Sequence, residues 1–271
     1  MAQADEAARG LDVSVPNAAR MYDYFLGGKD NFEADRVTAE RLLALVPQLR
    51  QSVVENRRFI GRVVRYLAAE AGITQFLDLG SGLPRVGNVH EVAQNVNPAA
   101  RVVYVDNDPI VLVHSRALLV SNPLGACEYI QEDIRNPEAI LRNPATRATL
   151  DFGRPVVLLL VAILHFFPDE EESGKIVRTL VDALPSGSYV VASHGTAEYA
   201  PLEAAGVGRA YQRGGVALAL RDSGEFADLV FRGLSLVPPG VVPIPEWRPE
   251  PGAVPPPPAE VSVNGGVARK P

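Results

Sequence analysis

Cysteine is nearly absent from this 271-residue chain, in which Cys127 is the only one. A single cysteine forms no intrachain disulfide, and the apolar neighbours of Cys127 indicate a buried thiol, so we expect a cytoplasmic protein. Histidine and cysteine show no zinc-type spacing, and we expect no metal site. The chain also lacks a run of about 18 apolar residues and a basic N-terminal leader, so neither membrane insertion nor secretion is indicated.

Positive charge is scarce as well, because the formal net charge is -6. An acidic protein is not drawn to a polyphosphate backbone, which makes nucleic acid a poor candidate partner. No nucleophile-elbow or phosphate-loop motif is present, so hydrolase and nucleotidase chemistry have no motif to support them. The hydrophobic fraction of 47% is typical of a globular protein with a sizeable core.

Two kinds of hydrophobic period divide the chain. Apolar residues at helical spacing fill most of residues 14–71, which predicts an N-terminal helical cap covering residues 1–72. From residue 73 to residue 271, short apolar runs alternate with helical stretches, the pattern of parallel βαβ winding. We predict five parallel strands at 75–79, 102–106, 127–131, 155–163 and 188–193, and a closing pair at 234–237 and 261–269. The proline-rich stretch between the closing strands is expected to be a surface loop.

The first predicted strand runs directly into a glycine turn. Gly80 and Gly82 have no Cβ, so the backbone of Gly80, Ser81 and Gly82 is able to approach a ligand closely at the carboxyl edge of the sheet. Asp78, two residues before the first glycine, suits the ammonium group of an amino-acid-like ligand. Arg85 stands where the dinucleotide fingerprint requires a third glycine, which argues against a pyrophosphate ligand.

Acidic residues also follow the second and third predicted strands. Asp106, followed by Asn107, ends the second strand, where a carboxylate accepts hydrogen bonds from the ribose hydroxyls of an adenosine cofactor. Asp133 and Ile134 follow the third strand, where they would contact the adenine amino group and ring. Each acid alone is more often a solvated loop residue, but three at neighbouring strand ends favour a binding site.

These motifs resemble those of a known family. Residues 78–82, Asp106 and Asp133 look like the cofactor motifs of class I S-adenosylmethionine-dependent methyltransferases. Residues 16–32, 104–109, 238–240, 247–249 and 265–271 resemble, more narrowly, a bacterial group of S-adenosyl methyltransferases first described as a domain of unknown function. The resemblance implies an α/β, Rossmann-like, seven-stranded and mostly parallel sheet with helices on both faces, and S-adenosylmethionine as cofactor. It does not imply a methyl acceptor.

Two further sets of residues are candidates for the acceptor site. The loop with Gly28, Lys29 and Asp30, together with Tyr22, is expected to act as a lid over the ligand; the alternative is a plain interhelical turn. His165 and His194 follow the fourth and fifth strands, where a neutral imidazole would act as a general base. The alternative for each is a structural histidine.

The combined prediction is a methyltransferase that acts on a small molecule. The strand-four exit lacks the Asn/Asp-Pro-Pro-aromatic motif of many nucleic-acid amino methyltransferases, which agrees with the acidic charge. Two alternatives remain at this stage. One is a protein that binds S-adenosylmethionine or S-adenosylhomocysteine without catalysis, and the other is a nicotinamide-dependent oxidoreductase. The sequence does not indicate the oligomeric state.

Overall fold

A computed structural model describes residues 12–118, 121–201, 211 and 216–271. One mixed sheet lies at its centre, with strands in the order β3-β2-β1-β4-β5-β8-β6 and with β7 paired to β8. The strands are β1 (Gln75–Leu79), β2 (Arg101–Asp106), β3 (Ala126–Gln131), β4 (Val157–Val161), β5 (Tyr189–Gly195), β6 (Ser235–Leu236), β7 (Val242–Pro243) and β8 (Val263–Arg269).

The first five strands are parallel, and β8 runs antiparallel to β5, β6 and β7. The predicted Rossmann-like, mostly parallel sheet is therefore confirmed, including the closing pair of β6 and β8. The two-residue strand β7 is an eighth strand that sequence analysis did not predict, because two residues are too few to show a period.

Helices cover both faces of this sheet. They are α1 (Ala18–Phe25), α2 (Glu33–Leu45), α3 (Leu49–Ala69), α4 (Val89–Val96), α5 (Pro109–Leu118), α6 (Pro137–Arg142), α7 (Pro144–Thr149), α8 (Glu170–Ala183) and α9 (Ser223–Phe231). Alternate residues of each strand point to opposite faces, so Leu77 packs in the layer that contains α8 and α9, whereas Phe76 packs in the layer that contains α3. The central strand β4 is buried along its whole length, as expected for a parallel strand covered on both sides.

Helix α3 belongs to the core of the sheet although it precedes the first strand. Its residues Phe59, Val63 and Leu67 are fully buried, in one cluster with Leu159 of β4 and with Trp247. The region predicted as a cap, residues 1–72, thus contains one helix that the sheet needs for its own packing. Of the helices in the described ranges, none is both long and apolar enough to span a membrane.

Candidate active site

A cavity lies at the carboxyl edge of the sheet, under helix α1. One end is formed by residues that follow β1 and β2, among them Gly80, Ser81 and Asn107. The other end is formed by residues that follow β4 and β5, and the facing sides of α1 and α3 contribute to the wall of the cavity. Since the sheet order is β2-β1-β4-β5, these are two adjacent parts of one cavity. Open α/β sheets bind ligands at this edge.

The glycine turn after β1 holds the floor of the cavity. Gly80 has a φ of 70°, and its N–H donates to the carbonyl oxygen of Val105 at 2.8 Å. A Cβ on Gly80 would lie 2.7 Å from Cδ1 of Ile163, which would have to move, and any side chain is strained at this φ. Gly82 has a φ of 66°, and its N–H donates to Oδ2 of Asp106 at 2.9 Å. The turn is therefore tied to β2 by backbone and side chain.

Asp106 is held at the end of β2 by backbone donors. In addition to the bond from Gly82, its Oδ1 accepts from the N–H of Asp108 at 3.0 Å. Burial raises the pKa of Asp106 to about 6, although the backbone hydrogen bonds oppose this shift. Two carboxylate oxygens with one donor each still have free lone pairs, so the group is able to accept further hydrogen bonds from a ligand.

Asp78 presents a buried carboxylate to the same end of the cavity. Burial raises its pKa to about 7, while the positive charge of Arg57 acts in the opposite direction. Among the described residues, none donates a hydrogen bond to this carboxylate. A buried acid that lacks donors is costly unless a ligand supplies them.

Arg57 is a site residue that sequence analysis missed. It lies on α3 and lines the cavity, where its Nη2 donates to Oδ1 of Asn88 at 3.3 Å. The only signal in the sequence was an arginine on an amphipathic helix, which is usually a solvated surface residue. Its position near Asp78 depends on how α3 packs on the sheet.

Tyr22 lines the cavity and connects α1 to the core. Its hydroxyl donates to the carbonyl oxygen of Val53 at 3.1 Å and accepts from Nδ2 of Asn56 at 3.2 Å. Oδ1 of Asn56 in turn accepts from Oγ of Ser193 at 2.7 Å. This chain of bonds runs from α1 through α3 to β5. Asn56, which also lines the cavity, had no sequence signal that marked it.

The loop with Gly28, Lys29 and Asp30 lies outside the cavity wall. Asp23 organises it, because Oδ2 of Asp23 accepts from the N–H of Asp30 at 3.0 Å and Oδ1 pairs with Arg85 at 2.7 Å. A Cβ on Gly28 would collide with both Asp23 and Arg85. Gly28 is therefore needed for close packing against the loop that follows β1. Helix α1 lines the cavity, and the action of this loop as a lid stays a prediction.

Asp133 and Ile134 also lie outside the cavity wall. Asp133 pairs with Arg135 at 3.1 Å and accepts from Nδ2 of Asn107 at 3.4 Å. Ile134 is buried among core residues on one face of the sheet. Among the described residues, Asn107 connects Asp133 to the cavity, and contact of Asp133 or Ile134 with a ligand stays a prediction.

The two candidate catalytic histidines are adjacent but differ in access. His165 lines the cavity, and burial lowers its pKa to about 3. His194 does not belong to the cavity wall, and burial lowers its pKa to about 4. Nη1 of Arg221 lies 3.0 Å from Nε2 of His194, and the carbonyl oxygen of Gly195 lies 2.8 Å from Nδ1. A guanidinium only donates, so Nε2 accepts and Nδ1 carries the proton.

This geometry bears on the predicted general-base role. Both ring nitrogens of His194 are occupied inside the protein, which gives the side chain a structural position between β5 and Arg221. His165 is accessible from the cavity, but a ring with a pKa of about 3 is a weak proton acceptor near neutral pH. We therefore expect His165 to act as a hydrogen-bonding partner of a ligand.

Comparisons with known proteins agree on one family. A family model described as S-adenosyl methyltransferase matches residues 4–271. The crystal structure of a DUF574 family protein from Streptomyces avermitilis MA-4680 is 45% identical, covers 96% of this chain and 99% of that chain, and has a TM-score of 0.91. A candidate methyltransferase from Thermobifida fusca YX is 45% identical, covers 96% and 97%, and has a TM-score of 0.88. No curated protein matches the chain.

Proposed function

We propose that this chain, which belongs to the S-adenosyl methyltransferase family and uses S-adenosylmethionine as its cofactor, methylates a small organic molecule. The observation that carries the proposal is the two-part cavity at the carboxyl edge of the sheet. Its polar part suits the cofactor, and its apolar part leaves room for an acceptor beside it. The match to this family also argues against the nicotinamide-dependent alternative.

The polar part fits an amino-acid-bearing nucleoside. Asp78 and Arg57 present opposite charges to the cavity, and the methionine portion of the cofactor carries an ammonium and a carboxylate of matching sign. We assign the ammonium to Asp78 and the carboxylate to Arg57. The free lone pairs of Asp106 suit the ribose hydroxyls, and the Gly80–Gly82 turn leaves room for close approach. When bound, the cofactor supplies an electrophilic methyl group.

The apolar part is enclosed by several elements. Phe25 of α1, Leu49 of α3, Phe166 after β4 and Tyr211 line it. An acceptor held among these residues is removed from water and oriented toward the cofactor, and orientation supplies much of the rate enhancement of a two-substrate reaction. A flexible macromolecule would have to thread a segment between these elements, whereas a small molecule fits as a whole. This enclosure supports a small acceptor.

Radioactive methyl transfer tests the size of the acceptor. The protein is incubated with methyl-labelled cofactor and a cell extract that ultrafiltration has divided into small molecules and macromolecules. We expect label in the small-molecule fraction. The variant Asp106→Ala, which removes the proposed ribose acceptor, serves as the control and should transfer little label. Label found mainly in protein or nucleic acid would contradict the proposal.

A further inference from the structure

The described residues of the apolar part of the cavity carry almost no charge. Of the described residues that form the wall, Arg57, Asp78 and Asp106 belong to the polar part, and the remaining ionic side chain is the exposed Glu260. His165 is neutral near pH 7 because burial lowers its pKa. An ionic acceptor would be buried here without a counter-ion, which costs several kcal/mol. The wall therefore favours an uncharged occupant.

Four aromatic side chains line the same part, together with aliphatic ones. Tyr22 and Phe25 come from α1, Phe166 follows β4, and Tyr211 belongs to the segment after β5. The rings of Phe166 and Tyr211 lie 6.2 Å apart between centroids and are tilted by 52°. Aromatic pairs prefer offset or edge-to-face contacts at such distances, so these two rings pack on each other, and an aromatic ligand beside them would extend the same packing.

Two polar atoms in this wall, Oε1 of Gln48 and Nδ1 of His165, lack a partner among the described residues. Oε1 of Gln48, the residue before α3, is buried and accepts no hydrogen bond from them. Buried side-chain oxygens normally accept at least one hydrogen bond, and leaving one unpaired carries an energetic cost. A ligand that donates an N–H or O–H to this atom would remove the cost, whereas a purely apolar ligand would not.

We infer that the methyl acceptor is an uncharged aromatic molecule carrying an N–H or O–H group that it donates to Oε1 of Gln48. The inference rests on the proposed function, and it adds the chemical class of the acceptor. The acceptor is inferred to be uncharged because the described wall residues offer it no ionic partner. The aromatic side chains of the wall favour an aromatic ring, and the unpaired oxygen of Gln48 favours a donor group. His165, which faces the same space, offers a second polar contact.

Matched naphthalene probes test this inference without turnover. Wild-type protein saturated with S-adenosylhomocysteine is titrated by calorimetry with 1-naphthylamine, 1-methylnaphthalene and 1-naphthoate. These probes share one ring system and differ in carrying a donor, a methyl group or a negative charge. We expect 1-naphthylamine to bind at least tenfold more tightly than 1-naphthoate and severalfold more tightly than 1-methylnaphthalene. No detectable binding of 1-naphthylamine, or equal binding of 1-naphthoate, would overturn the inference.

Two variants locate the contacts. Gln48→Met keeps the length of the side chain and removes the acceptor, so it should abolish the preference for 1-naphthylamine over 1-methylnaphthalene. Gln51→Met, one turn further along α3 and outside the cavity wall, should preserve that preference. If the preference survives Gln48→Met, the assignment to Gln48 is wrong. S-adenosylhomocysteine affinity is measured for every variant. Failure of the wild type to bind it would contradict the proposed function, whereas normal binding with no probe bound overturns this inference alone.

Discussion

Asp78 is a buried acid whose charge state is poised near neutral pH, because burial raises its pKa to about 7. The ammonium of the cofactor needs the ionised form. Affinity for S-adenosylhomocysteine should therefore fall about tenfold between about pH 8 and about pH 6, as Asp78 takes up a proton. Calorimetric titration at both values checks this. An Asp78→Asn variant should bind weakly at both, and a wild-type affinity that rises toward pH 6 would rule out the assignment.

Asp78 should also make the stability of the folded protein depend on pH, but in the direction opposite to its effect on ligand affinity. An acid whose pKa is raised in the folded state keeps its proton there while the unfolded chain has lost it, so stability falls as pH rises from about 4 to about 7. At about pH 8, Asp78→Asn should raise the melting temperature of the cofactor-free protein by about 2 °C or more. Asp228→Asn, on the exposed side of α9, is the control and should change neither stability nor affinity. Destabilisation by Asp78→Asn would mean that the carboxylate has an internal partner.

Arg57 should distinguish ligands by their carboxylate. Arg57→Gln should weaken S-adenosylhomocysteine binding by about 1.5 to 3 kcal/mol, the range for a charged hydrogen bond. Binding of 5′-methylthioadenosine, which lacks the amino-acid portion, should stay the same. Arg65→Gln, on the exposed side of the same helix, is the matched control. Equal loss for both ligands would show that Arg57 supports the fold of the cavity and does not bind the carboxylate.

At the scale of elements, helix α1 is held in place by a buried ion cluster. Nε of Arg20 lies 3.3 Å from Oδ2 of Asp35 on α2 and 3.5 Å from Oδ2 of Asp108, two residues after Asp106. All three side chains are at most 4% exposed. This cluster joins the helix that covers the cavity to the loop that holds the proposed ribose acceptor.

Removing the cation from this cluster leaves the two buried carboxylates without the arginine that pairs with both. Arg20→Met should therefore destabilise the protein by about 3 to 5 kcal/mol in denaturant unfolding. Adding Asp108→Asn should recover part of the loss, because one of the uncompensated charges disappears. The exposed Arg41→Met on α2 should stay within about 0.5 kcal/mol of the wild type. A mild effect of Arg20→Met, similar to that of the control, would show that the cluster does not anchor α1.

At the scale of the whole molecule, cofactor binding should stabilise the fold. The polar part of the cavity joins β1, β2 and α3, so a ligand there binds only the folded chain. At one hundred times its dissociation constant, S-adenosylhomocysteine should add about 2.7 kcal/mol, which corresponds to roughly 5 to 10 °C in melting temperature. NAD at the same concentration should have little effect. Thermal unfolding curves measure both, and equal stabilisation by NAD would contradict the cofactor assignment.

The sequence by itself determined the order of helices and strands and the cofactor edge of the sheet. Hydrophobic period is a local property, so the strands ending at Leu79 and Asp106 were predictable. Parallel winding then placed Asp78, the glycine turn and Asp106 at one edge, because consecutive βα units bring the carboxyl ends of their strands together. The positions of these residues in the fold follow from the local sequence around each of them.

Only the tertiary structure decided which residues from distant segments join that edge. Arg57 and Asn56 reach the cavity because α3 packs on the sheet, and the bond from Ser193 to Asn56 spans 137 positions of the sequence. No local period encodes the direction in which a loop leaves a helix, so the close approach of the loop at Gly28 to Arg85 was not predictable from the sequence. The apolar part of the cavity likewise exists only after α1 packs on α3 beside Phe166, because its wall is assembled from side chains that packing brings together.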